Sequence, residues 1–78
     1  MLPPYSEEAA QLKKGIYKHY SGKQYKVLGV GRHSESLEEF VIYQALYEPY
    51  DYWMRPLTMF LEEVVIDGKS VSRFSYFE

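Results

Sequence analysis

Phe40-Val41-Ile42-Tyr43-Gln44-Ala45-Leu46-Tyr47 is the stretch on which the fold turns. β-branched and aromatic side chains dominate it and Gln44 is its one polar residue, a composition that suits a strand. Strand alternation puts Phe40, Ile42, Gln44 and Leu46 on one face and Val41, Tyr43, Ala45 and Tyr47 on the other. A strand apolar on both faces belongs in the middle of a sheet. A small domain has one interior, so the second face must meet something else. The tyrosine-bearing face is the candidate, because a phenol joins apolar area to a polar tip.

Towards the C-terminus, Glu48-Pro49-Tyr50-Asp51 turns the chain. Tyr52–Arg55 is a short strand ended by Pro56, and Leu57–Phe60 a helical turn. Asp67-Gly68 between alternating apolar residues is a type I′ hairpin signal. A two-residue loop there pairs Ile66 with Lys69, Val64 with Val71, Val65 with Ser70, Leu61 with Phe74 and Glu62 with Arg73. The last pair is charge-matched, which supports the register independently of the turn.

Towards the N-terminus, Arg32 to Glu39 is a polar loop. Gly29 and Gly31 interrupt a strand from Lys23 to Val30, marking a bulge or bend. A two-residue turn at Ser21-Gly22 joins that strand to Ile16–Tyr20, with Ile16 opposite Val27 and Lys18 opposite Tyr25. The competing register brings Lys18 opposite Lys26, a like-charge pair that sheets disfavour. Residues 1–14 read as an arm. Ser6 caps a short helix from Glu7 to Lys14, with acids in the first turn, lysines in the last and Gly15 as the stop. The expected fold is mainly β: a small barrel or rolled antiparallel sheet over 15–78, preceded by a short N-terminal helical arm over 1–14.

Composition narrows the function classes. Seventy-eight residues make one domain, and the absence of cysteine excludes a disulfide framework or a thiolate metal site. No run approaches the ~20 apolar residues of a membrane span. Met1-Leu2-Pro3-Pro4 lacks the features of a signal peptide, so a cytoplasmic location and no membrane partner are expected. Nine Tyr, four Phe and one Trp supply the area with which so short a chain can offset its folding entropy. Residues 1–33 carry six basic and two acidic residues, and 34–78 three basic and nine acidic. Such asymmetry can mark a nucleic-acid surface, but the pI near 5.7 makes nucleic acid a minor alternative, and the charges can instead pair across strands.

Several patterns also resemble one family. They are Gly15-Ile16-Tyr17-Lys18-His19-Tyr20-Ser21-Gly22-Lys23-Gln24-Tyr25-Lys26-Val27, then Arg32-His33-Ser34-Glu35, then Trp53-Met54-Arg55-Pro56-Leu57-Thr58-Met59-Phe60, then Asp67-Gly68 and Arg73-Phe74. In order and spacing they are similar to the small bacterial domain of unknown function DUF1653, over roughly residues 14–77. The resemblance implies an SH3-like β-barrel and brings no established activity, substrate or catalytic residue.

The residues themselves offer three function classes. Arg32-His33-Ser34-Glu35 is the densest polar cluster. His33 and Glu35, with His19 from the first hairpin, could ligate a metal, but zinc takes three or four protein ligands and the chain has two histidines. His33 and Glu35 share a strand face and could serve as acid and base, though a domain this small has little room for a closed pocket. Gly29-Val30-Gly31 lacks the third glycine and the helix of a dinucleotide site. Trp53 and Arg55 share a face, where a guanidinium can lie over an aromatic plane. Against that stands a structural role: Trp53 closing the core and Arg55 pairing with an acid of the second half. The favoured reading is a non-catalytic binding module, with Arg32, His33, Glu35, Tyr43, Trp53 and Arg55 forming a surface for a peptide, protein or small ligand. The alternatives are a small metal-dependent or acid–base enzyme at His33 and Glu35, and a structural domain forming a homodimer. No catalytic residue, resident metal or cofactor is assigned.

Overall fold

A computed structural model describes residues 2–78. The elements run α1 (Glu7–Gln11), β1 (Gly15–His19), β2 (Gln24–Arg32), β3 (Glu39–Ala45), β4 (Tyr52–Pro56), α2 (Leu57–Phe60), β5 (Glu63–Ile66), β6 (Lys69–Ser72) and β7 (Phe74–Tyr76). The fold is mainly β. Five antiparallel strands form one sheet in the order β4-β3-β2-β1-β7, and β5–β6 stands apart as a hairpin. The main sheet is open rather than closed into a barrel, with β4 and β7 as its edges. No helix among the described residues is long and apolar enough to cross a membrane.

β3 is central, as its two apolar faces require, with β2 on one side and β4 on the other. The assignment of its faces is reversed, however. Val41, Tyr43 and Ala45 are the buried side, at 0%, 5% and 1% exposure, while Phe40, Ile42 and Gln44 are half-buried. Tyrosine alone suggested a wet surface. The small neighbours Val41 and Ala45 instead leave room for the ring, and the hydroxyl finds a partner in Arg55.

The first hairpin also differs from expectation. Tyr17 stands opposite Tyr25 and Lys18 opposite Gln24, so Tyr20-Ser21-Gly22 is a three-residue connection. Gly22 takes φ +102°, in the left-handed region that such a loop uses and that glycine tolerates. A one-residue slip exchanges faces. Tyr17, Tyr25 and Val27 therefore turn inward and Ile16, Lys18 and Lys26 outward, without any lysine pair. The β2–β3 register shifts between Val27 and Gly29, the bulge expected of the glycine-broken strand.

Helix α1 is shorter than its charge pattern indicates. Ser6 caps it, its Oγ accepting from the Ala9 amide at 3.1 Å, but it ends at Gln11. Beyond it the Lys13 carbonyl accepts the Tyr17 hydroxyl at 2.7 Å. The chain leaves the helix before its second turn is complete, and Gly15 opens β1 instead of stopping α1. Ala9 is buried in the core and Leu12 packs against it.

The hairpin β5–β6 has the register read from Asp67-Gly68, which take φ +51° and +77° as a type I′ turn demands. Arg73 and Glu62 form an ion pair at 3.3 Å, the only one among the described residues, so the two halves of the chain do not pair off their charges. Leu61 does not face Phe74: it ends α2 in solvent, and Phe74 crosses to pair with His19 on β1.

The core lies on the inner face of the sheet, under α1 and α2. Phe60 and Phe74 stack at 4.2 Å with planes 7° apart. Tyr17 meets Phe60 edge-on at 5.5 Å, and Tyr43 meets Phe60 and Phe74 at 5.6 Å each. This aromatic block does what aliphatic bulk does in larger domains.

Candidate functional site

The aromatic block continues past Phe74 to the end of the sheet, where it opens to solvent. There Tyr25 of β2, Tyr43 of β3, Trp53 and Arg55 of β4, and Tyr47 from the turn after β3 line a cleft of about 200 Å³. Strand pairing builds it. Trp53 lies opposite Tyr43, Arg55 opposite Val41 and Tyr25 opposite Ala45, so all these positions point to the inner face.

Its polar groups are partly spent on one another. The hydroxyls of Tyr25 and Tyr47 bond to each other, and their rings meet edge-on at 5.5 Å. Burial, then that hydrogen bond, pushes the Tyr25 hydroxyl up to about 12, so it stays a neutral phenol. Arg55 donates from Nε to the Tyr43 hydroxyl at 3.3 Å, and its guanidinium carbon lies 5.8 Å from the Phe74 ring centre. It pairs with no acid, contrary to the structural role weighed for it. Lys23 sets its Nζ over the Tyr47 ring at 4.7 Å on the rim. Trp53 is 51% exposed, so it walls the cleft instead of closing the core, a task that Phe60 and Phe74 perform.

Of the residues expected at a site, Tyr43, Trp53 and Arg55 come together, and Arg32, His33 and Glu35 do not join them. Arg32 lies at the end of β3 far from the cleft, opposite Glu39. Its guanidinium covers the Tyr5 ring at 4.1 Å and donates to the Pro3 carbonyl, binding the arm. Nδ1 of His33 accepts from the amides of Glu35 at 3.1 Å and Ser36 at 3.2 Å, so the imidazole caps its own turn. Among the described residues no group of three His, Asp or Glu could hold a metal ion. The metal reading therefore has no ligand set. Nor does His33 use the Glu35 carboxylate; its contact is with that residue's backbone.

Sequence reasoning missed Tyr25 and Lys23. The signal was the hairpin register: with Tyr17 opposite Tyr25, the latter falls on the same face as Tyr43. Larger grooves exist, such as one of about 410 Å³ between α1 and α2 lined by Ser6, Glu38, Glu39 and Leu57. Its best-placed polar groups already satisfy each other, since Ser6 donates to Glu39 from Oγ at 2.6 Å and from its amide at 2.7 Å. In the smaller cleft the terminal amino groups of Arg55 have no protein partner.

Comparison with known proteins gives a consistent picture. The family model of the protein of unknown function DUF1653 matches residues 15–76. A crystal structure of a DUF1653 protein from Bordetella bronchiseptica is 31% identical, with a TM-score of 0.81 over 88% of this chain and 91% of that one. Among curated proteins none matches.

Proposed function

This chain belongs to the DUF1653 family, proteins of unknown function, and from that premise we propose that it is a non-catalytic binding module whose ligand enters the cleft of Tyr25, Tyr43, Tyr47, Trp53 and Arg55. Residues 15–78 make up the binding domain and residues 1–14 an arm that braces it. The docking of Ala9 and the start of the family match at residue 15 support that division. One observation carries the reading. Three phenols, an indole and a guanidinium converge on one small open space, and the guanidinium has no carboxylate partner. Tyr, Trp and Arg are the residue types that dominate binding energy where they cluster.

Catalysis finds less support there. The lining holds no carboxylate or imidazole, and a phenol held near 12 is a poor base at neutral pH. The test is a fragment screen on the uniformly labelled full chain, read by amide chemical shifts together with the indole resonance of Trp53, the one tryptophan. Shifts gathering on Tyr25, Tyr43, Tyr47, Trp53 and Arg55 support the module. Shifts gathering elsewhere, at Arg32–Glu35 for instance, overturn it.

A second reading, a homodimer through edge strand β4, draws on Tyr52 and Met54, which stand 69% and 58% exposed on the outer face. Sedimentation that stays monomeric at millimolar chain removes it.

A further inference from the structure

The chemistry of the cleft narrows what it takes. We propose that its ligand is a small planar ring bearing an anionic group, a carboxylate or a phosphate, with the ring between Trp53 and the tyrosines and the anion on Arg55. The proposal rests on the cleft being the binding site, and adds the ligand's charge and shape.

The charge follows from a census of the walls. Arg55 spends Nε on Tyr43 and leaves its two terminal amino groups without a protein partner. Those are the groups that grip a carboxylate or phosphate side by side. Lys23 adds a second cation at the rim, likewise without an acid. Arg73, the nearby third, is already neutralised by Glu62. No carboxylate lines the cleft. Arg55 is half-buried without a counter-ion, which raises the free energy of the empty state, and an arriving anion removes that penalty. Nearby, burial first and then the charges of Arg73, Arg55 and Lys23 lower the affinity of His19 for a proton.

Shape follows from the same walls. Three phenol rings and an indole offer flat apolar faces, and a volume of about 200 Å³ admits a single ring with its substituent but no folded peptide. An aromatic cage of this composition would ordinarily suggest a quaternary ammonium. Here Arg55 already supplies the cation, so a cationic guest meets repulsion. That makes the two guest types distinguishable.

The test titrates the full chain, by amide and indole chemical shifts, with four probes that share a phenyl ring: benzoate, phenyl phosphate, benzamide and benzyltrimethylammonium. Benzoate or phenyl phosphate should bind at least about tenfold more tightly than benzamide, as a charge-assisted contact requires. The better of the two identifies the anion. Arg55→Gln should erase most of that preference, weakening the anions far more than benzamide, and Arg55→Lys should restore part of it. Lys23→Gln, on an exposed rim residue that folding does not need, should weaken the anion by a few-fold and flatten its salt dependence. Equal binding of benzamide and benzoate in the cleft overturns the anion while leaving the binding module intact. Preference for the ammonium probe overturns it outright. Shifts outside the cleft for all four probes overturn both.

Discussion

One inner sheet face is built at both ends from the same kind of side chain, yet the two ends differ in what is left over. At the α2 end, Phe60, Phe74 and Tyr17 fill the space between sheet and helix, and the one hydroxyl present donates to a backbone carbonyl. At the β4 end, Tyr25, Tyr43, Tyr47 and Trp53 enclose a gap, and a guanidinium stands among them with two amino groups unspent. Aromatic content says nothing about which end is which. Satisfied polar groups mark the first as core, and unsatisfied ones make the second the candidate site. Stability should therefore reside in one end and ligand affinity in the other.

The sharpest way to break this comparison is Phe60→Ala. Phe60 is 2% exposed and touches Tyr17, Tyr43 and Phe74. Its truncation should cost about 3–5 kcal/mol. A domain of this length holds only about 4–12 kcal/mol in total, so the variant should lose a large share of its stability and melt far below the parent chain. Phe60→Leu, which keeps much of the volume, should fold with a lowered denaturation midpoint. If Phe60→Ala melts like the parent chain, the α2 end is not the core.

Next in size is the arm that covers that core. Ser6→Ala removes both the cap on Ala9 and the side-chain grip on Glu39, and should cost about 1 kcal/mol, seen in urea unfolding. Proteolysis of residues 2–12 should quicken more than the overall midpoint falls, because the arm is held by few groups.

How much of this was legible beforehand follows from which signals are local. The Asp67-Gly68 turn, the Glu62–Arg73 pair, the Ser6 cap and the bulge at Gly29 are set by neighbours in sequence, and all were readable. The face of β3 was not, because Val41 and Phe40 are equally apolar and only tertiary packing chooses between them. The first hairpin slipped by one residue because Ser21-Gly22 and Tyr20-Ser21-Gly22 both make acceptable loops; the choice falls to Tyr17 and Tyr25 seeking the core. That single slip hid Tyr25 from the candidate site. Arg32, His33 and Glu35 looked functional for their polarity, which their turn and the arm consume locally. Trp53 and Arg55 were found because spacing on one short strand suffices to place them together.

A smaller effect tests the other end. Trp53→Ala removes a half-exposed ring, and stability should change by only about 0.5 kcal/mol, as at an ordinary surface position. Loss of stability comparable to that of Phe60→Ala would make Trp53 part of the core and dissolve the distinction between the two ends.

The gentlest expected effect is a dependence on pH, and it separates the two ends by where it falls. His19 lies edge-on to Phe74 at 5.0 Å and 6.3 Å from Tyr25, at the seam between core and cleft. Burial, then Arg73, Arg55 and Lys23, lowers its affinity for a proton below the ordinary 6.5. Between its folded value and 6.5, the unfolded chain binds a proton that the native chain refuses. Stability should therefore rise with pH through that window, be complete above 6.5, and decline in mild acid. Glu39 is lowered too, chiefly by the Ser6 hydroxyl and then by the Ser6 amide. Its share is present above the ordinary 4.5 and is lost as pH falls through the folded value, so it belongs to stronger acid. Urea midpoints followed from pH 7.5 to 3.5 should then decline in two stages. His19→Asn should flatten the upper stage alone, and Glu39→Gln the lower alone. If His19→Asn leaves the upper stage unchanged, burial and the neighbouring cations do not hold the His19 imidazole neutral at the seam.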